Sequence, residues 1–194
     1  MRRKLRDVLA KQPVPRDPYA ELKSRPIVKK WKMDDLLPAI ENELKNRDFE
    51  NGKKMFSVAQ CFKCHRFDGE GGMVGPDLTA AGRRFNKRDL LLSTLEPSAV
   101  QSDQYQATNF LMLDGKKHVG RVVNLNQKNY TVQTDMVLPN KLTNLNVDQI
   151  DEMTPSKISM MPEGLIDTLS KEEVLDLIAY VRSGGHRRDP TSHE

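Results

Sequence analysis

Cys61-Phe62-Lys63-Cys64-His65 contains both cysteines of this 194-residue chain and follows them directly with a histidine. Each chemistry that uses a Cys-x-x-Cys pair needs companions elsewhere in the sequence. A structural zinc site wants four nitrogen or sulfur ligands, and no second cysteine pair or His-x₃₋₅-His cluster is present. A dithiol redox motif should open the first helix of a βαβ unit, whereas Gly52 to Gln60 has the apolar spacing of a helix running into the motif. Cys-x-x-Cys-His is the pattern of covalent haem attachment: two thiols on one helical turn add to the vinyl groups of one porphyrin, and the neighbouring imidazole ligates the iron. A five-residue match also arises by chance, so the reading needs support further along the chain.

That support begins at Gly71-Gly72-Met73-Val74-Gly75-Pro76-Asp77-Leu78, a glycine-rich loop about ten residues after the histidine. By itself Gly75-Pro76 marks a turn. On the helix before the motif, Met55, Phe56 and Ala59 make an apolar face. Near the other end, Ser170-Lys171-Glu172-Glu173 is a capping box, with Leu169 and Val174 placed for a hydrophobic staple. The helix behind it carries Val174, Leu177, Ile178 and Val181 on one face and stops at Gly184-Gly185.

The sequence here resembles the class I cytochrome c family. The resemblance implies that Cys61 and Cys64 bind one haem c covalently and that His65 is the proximal iron ligand. It implies that the Pro76 carbonyl accepts the Nδ1–H of His65 and that Leu78 packs on the porphyrin. It also implies that the first and last helices cross at Gly52, Phe56 and Tyr180. In the family the sixth ligand is a methionine on the loop before the last helix, commonly followed by proline, which points to Met161-Pro162. Met160 is the near rival and Met73 a remote one. His118, His186 and His193 are read as surface residues, in a turn and in a polar tail.

The middle of the chain departs from a plain haem fold. Asn86-Lys87-Arg88-Asp89 opens a helix bearing Leu90, Leu91 and Leu95. The period then changes to two: Thr108, Phe110 and Met112 alternate with their neighbours, Asp114-Gly115 marks a turn, and Val119 to Val123 and Tyr130 to Thr134 read as strands. Leu142, Leu145, Val147 and Ile150 add one or two more strands before Met153. The expected fold is a mainly α cytochrome c fold interrupted by a small antiparallel β domain, α+β overall.

Five regions follow: a basic, proline-containing arm over 1–32, the first part of the haem domain over 33–102, the β insert over 103–156, the remainder of the haem domain over 157–184, and a polar tail over 185–194. Asp34 is read as the acidic N-cap of a short helix that tolerates Pro38 in its first turn, with Trp31, Leu37, Ile40 and Leu44 packing on the haem domain. This order of parts is similar to the planctomycete-type haem-binding cytochrome c domain that closes many large exported proteins. The matches are Asp48 to Gly52, Cys61 to His65, Gly75 to Leu78, Glu96-Pro97-Ser98, Asp114-Gly115 with Gly120, and Met161-Pro162-Glu163-Gly164-Leu165, so the resemblance covers about residues 34–182.

Residues 1–32 carry eleven Lys/Arg against three Asp/Glu, so the rest of a chain with net charge +4 is acidic. The arm has neither aromatic interleaving nor a nucleic-acid motif and reads as a solvated linker. No stretch approaches the ~18 apolar residues of a membrane span. Met1-Arg2-Arg3-Lys4 has no apolar h-region behind it. Because family members acquire haem c outside the cytoplasmic membrane, the expectation is a periplasmic or otherwise exported module that is the tail of a larger chain or a detached piece.

The expected function is that of a monohaem electron carrier rather than an enzyme, serving a redox partner protein or a fused upstream domain. Two alternatives stand beside it: a haem enzyme or sensor whose open sixth site takes peroxide, NO or CO, and a docking module acting through the β insert. The sequence leaves the oligomeric state open.

Overall fold

The computed structural model describes residues 25–136, 138 and 140–187. Most of the basic arm, the end of the polar tail and His193 lie outside them. Helix α1 (Met33–Asn42) buries Leu36, Ala39 and Ile40. Its N-cap is Lys32 rather than Asp34, and the Asp35 carboxylate accepts the Lys32 N–H at 3.1 Å. Pro38 consequently lies in the helix interior, past the first turn, where it removes one backbone hydrogen bond; burial of the apolar face on the core offsets that loss.

Helix α2 (Phe49–Val58) starts three residues earlier than the apolar pattern from Gly52 suggests, because the Asp48 side chain accepts the Asn51 N–H at 3.0 Å and caps it. It also stops short of the cysteines. Gln60 turns left-handed at φ 60°, and Cys61–Cys64 form a separate turn, α3. Strands β1 (Arg66–Phe67) and β2 (Glu70–Gly71) make a small hairpin, whose Asp68-Gly69 turn has positive φ at both positions. Helices α4 (Ala81–Arg84) and α5 (Lys87–Leu95) follow, the latter capped by Asn86 through the Asp89 N–H.

The last helix, α6 (Lys171–Arg182), has the expected capping box: Ser170 Oγ accepts the Glu173 N–H, and Glu173 Oε2 accepts the Ser170 N–H. Leu169 and Val174 are both fully buried, as the staple requires. Helices α2 and α6 come from opposite ends of the described chain and cross at Gly52. A Cβ there would stand 2.3 Å from the Asp176 carbonyl oxygen and 2.6 Å from Tyr180 Cβ, so only glycine permits this approach. Tyr180 is ringed by Phe49, Phe56 and Phe67, with centroids 5.0, 5.9 and 5.0 Å away.

A polar lock beside the crossing was not evident from the sequence. Asp176, only 5% exposed, accepts Arg47 Nε and Asn51 Nδ2, each at 2.7 Å, and the Asp48 N–H at 3.3 Å. Trp31, Leu37, Ile40 and Leu44 all pack with this helical core.

Between α5 and α6 the chain forms a five-stranded antiparallel sheet, so the fold is mixed α+β. Its strands are β3 (Thr108–Met112), β4 (Lys117–Leu125), β5 (Asn129–Gln133), β6 (Leu142–Asn146) and β7 (Ile150–Pro155), in the spatial order β6-β5-β4-β3-β7. Val147 belongs to a 3₁₀ turn rather than a strand, and β7 runs past Met153 to Pro155. Flat, β6 and β7 would be about 19 Å apart at roughly 4.8 Å per strand. The four peptide steps from Asn146 to Ile150 reach at most about 14 Å, so the sheet curls on itself. Phe110, Val132 and Leu145 form its core, distinct from that of the helices. His118 lies in β4 opposite Phe110 and is half-buried, not in an exposed turn.

Candidate haem site

The left-handed Gln60 ends α2 and redirects the chain, so that α3 presents Cys61 and Cys64 one turn apart. Both are free thiols and half-buried. His65 then leaves the helix in an extended conformation, its N–H bonded to Cys61 O at 2.9 Å.

Three backbone bonds lace the glycine-rich loop to this turn: Gly72 N–H to Phe62 O at 2.8 Å, Gly75 N–H to Cys64 O at 2.7 Å and Leu78 N–H to Arg66 O at 2.9 Å. They bring the Pro76 carbonyl to 2.7 Å from His65 Nδ1. A carbonyl only accepts, so Nδ1 carries the proton and the Nε2 lone pair is left for a metal. Gly75 lies against the same ring. A Cβ on it would be 2.7 Å from Cε1 and 2.8 Å from Nδ1, so glycine allows the loop to seat the imidazole closely. That contact, like the loop's lacing, was visible in the sequence only as an unusual density of glycines.

Burial sets the electrostatics. It lowers the His65 pKa, although the bond to Pro76 pulls the other way, and it favours the neutral imidazole that a metal requires. It pushes the Cys61 thiol up to about 12, helped by neighbouring Cys64, and it raises Cys64 against the opposing pull of Lys63. A redox dithiol is built the other way, with a depressed thiol that is thiolate near neutral pH. Among the described residues no three His, Cys, Asp or Glu side chains are grouped to hold an ion.

Cys61, Cys64, His65 and Pro76 are thus one connected unit. Leu78 is half-buried and packs on the helical core, as Cys61 and Phe62 also do. Met161 comes from a different segment, the loop between β7 and α6, where it is half-buried with its N–H on Ser159 Oγ at 3.1 Å. Met160 is half-buried next to it, Met73 is 73% exposed, and His186 is exposed.

Two neutral thiols one turn apart, followed by an imidazole whose outer nitrogen alone is free, suit a porphyrin attached through sulfur and ligated from one side. They define a c-type haem-binding protein. The sequence model of the family described as cytochrome c matches residues 49–185, more than half of the chain. The chain belongs to the cytochrome c family. Membership makes it a haem-binding electron-transfer module and implies covalent haem c. No curated protein matches the chain. No helix among the described residues is long and apolar enough to cross a membrane.

Proposed function

We propose that the chain is a monohaem electron carrier in which His65 and Met161 ligate one haem bound through Cys61 and Cys64. The observation that carries this reading is the 2.7 Å bond from His65 Nδ1 to Pro76 O on the same turn as the two thiols. When bound, the haem would supply a reversible one-electron couple, and His65 with Met161 as its protein ligands would favour the ferrous state relative to two imidazoles. The chain's own residues orient and seal. Pro76 and Gly75 fix the imidazole, Leu78 covers the porphyrin, and Pro162, with its fixed φ, stiffens the loop behind the sulfur.

Residues 33–102 and 157–184 make up the cytochrome, and residues 103–156 are an insert of the planctomycete type. The separate core of the sheet supports this division, as does the meeting of its ends, where Ser156 N–H bonds Ala107 O at 2.8 Å. The module works outside the cytoplasm with a redox partner or a fused upstream domain, since haem c is attached there. His118 belongs to the sheet rather than to the iron.

Intact mass and optical spectra test the reading. One haem should survive acid-acetone extraction, and the ferrous spectrum should be low-spin and unchanged by CO. Met161→Ala should abolish the weak far-red Fe–S charge-transfer band and admit CO, while Met160→Ala leaves both nearly as they were. The reverse result moves the ligand by one residue. A wild-type protein that binds CO supports the open-site sensor or enzyme instead.

A further inference from the structure

Residues 25–32 form neither helix nor strand; Arg25 also touches Met55 Sδ and Lys29 and Lys32 bond Asp35, yet most of their hydrogen bonds converge on one place. The N–H groups of Val28 and Lys29 both donate to Asp167 O, at 2.8 and 3.2 Å. The Trp31 N–H donates to Asp167 Oδ1 at 3.3 Å, and its indole Nε1–H to Leu169 O at 3.0 Å. Arg25 Nη2 donates to both carboxylate oxygens of Glu173, at 2.6 and 2.8 Å, and the Trp31 ring packs on the helical core. All these bonds land on residues 167–173, the far end of the loop that carries Met161 and the cap of α6.

The near end of that loop has its own moorings. Ser159 N–H bonds Ser98 Oγ, and Met161 N–H bonds Ser159 Oγ, each at 3.1 Å. Between the two ends the loop has an internal turn, Asp167 N–H to Gly164 O, while Pro162, Glu163 and Gly164 are exposed. A methionine on such a loop stays where its sulfur is needed only while both ends are held.

We propose that residues 25–32 are a positioning strap for the Met161 loop, with Trp31 and Arg25 setting how firmly the sixth ligand is kept in place. The inference rests on Met161 as that ligand. An external ligand reaches the iron only in the fraction of molecules whose loop has withdrawn, so its apparent affinity reports the loop's opening equilibrium. Each bond lost from the strap favours opening by a modest amount, and two together change the open fraction by about tenfold. Because the strap continues into the basic arm, anything that lifts residues 25–32 off Asp167 loosens the iron's sixth bond.

The test is an imidazole titration of the full ferric protein, followed by loss of the far-red band, with far-UV circular dichroism melting in parallel. Trp31→Phe keeps an aromatic, though smaller, ring and removes the indole donor; Arg25→Ala removes the grip on Glu173 together with the contact to Met55 Sδ, and Arg25→Lys restores the charge. The double variant Trp31→Phe/Arg25→Ala should lose the band at about tenfold lower imidazole, with Arg25→Lys close to wild type. Arg47→Ala, which weakens the α2–α6 lock without touching the strap, should shift melting more than imidazole binding. Unchanged imidazole binding in the double variant overturns the strap, as does an equal shift in Arg47→Ala. If the band persists in Met161→Ala, the ligand assignment fails first and the strap with it. A band that needs Met161 but ignores Trp31 and Arg25 refutes the strap alone.

Discussion

Replacing Gly52 with alanine sets two effects against each other. In an isolated helix the change gains about 1 kcal/mol of helix propensity. At the crossing the new Cβ would sit 2.3 Å from the Asp176 carbonyl oxygen and 2.6 Å from Tyr180 Cβ. Neither neighbour is the free end of a side chain that could swing away, so the helices must part by about 1 Å to regain van der Waals contact. Parting them disturbs the Asp176 lock and the aromatic ring around Tyr180. That places the overpacking cost near the upper end of its usual range, about 3 kcal/mol. The net loss is about 2 kcal/mol, which at a urea m-value of roughly 2 kcal/mol per molar lowers the midpoint by about 1 M. Urea unfolding of the haem-loaded protein by far-UV circular dichroism measures it, with exposed Lys53→Ala on the same helix as the control. A Gly52→Ala protein that unfolds at or above the wild-type midpoint would refute the close-crossing argument.

Arg47→Ala should cost about 3 kcal/mol in the same assay because it strips the main cation from a buried carboxylate, whereas Glu172→Ala, losing a partner that is 65% exposed, should cost under about 1 kcal/mol. Glu173 gives a pH signature. Burial acts to raise its carboxyl, but the hydrogen bonds from Arg25 and the Ser170 N–H outweigh it and hold the group below the usual carboxylate range. A depressed folded-state pKa adds stability above the unfolded value of about 4.3 and loses it as pH falls through the folded value. The melting advantage of wild type over Glu173→Gln should therefore be full near neutral pH and vanish in acid; an advantage that grows in acid contradicts the assignment. Replacing residues 108–155 with a short Gly/Ser linker should leave the low-spin haem spectrum intact, since the ends already meet at Ala107 and Ser156. A high-spin or haem-free product would show that the sheet supports the haem fold.

What could be read from the sequence was local. Ser170 and Glu173 are three residues apart and cap one another whatever surrounds them. The alternation through Phe110 and Tyr130 marks strands because side chains on a strand must alternate between faces. Boundaries set by a single backbone angle were not legible: Gln60 has no sequence mark of its left-handed turn, and α2 was therefore expected to run into Cys61. Asp34 is a plausible cap by composition, and only the fold shows that Lys32 takes that place, with Asp35 accepting its N–H, and that Pro38 falls inside α1. The site divides in the same way. Cys61, Cys64, His65 and Pro76 lie within sixteen residues, whereas Asp176 meets Arg47 across 129 positions and leaves no pattern in either segment.

The separate cores of sheet and helices also bear on the order in which the chain folds. Gly52 and Tyr180 must find each other across most of the described sequence, and such distant encounters are slow. The meander β3 to β6 pairs strands that follow one another in the chain, around a core of its own. Once β7 has also paired with β3, Ala107 and Ser156 are neighbours, and the stretch between them no longer adds to the loop that α2 and α6 must close. The entropy saved is only about 0.4 kcal/mol, roughly a twofold gain in rate. Its larger consequence is chronological: the β unit can be complete while the helices that frame the haem are still apart, leaving the attachment turn accessible until the last crossing forms.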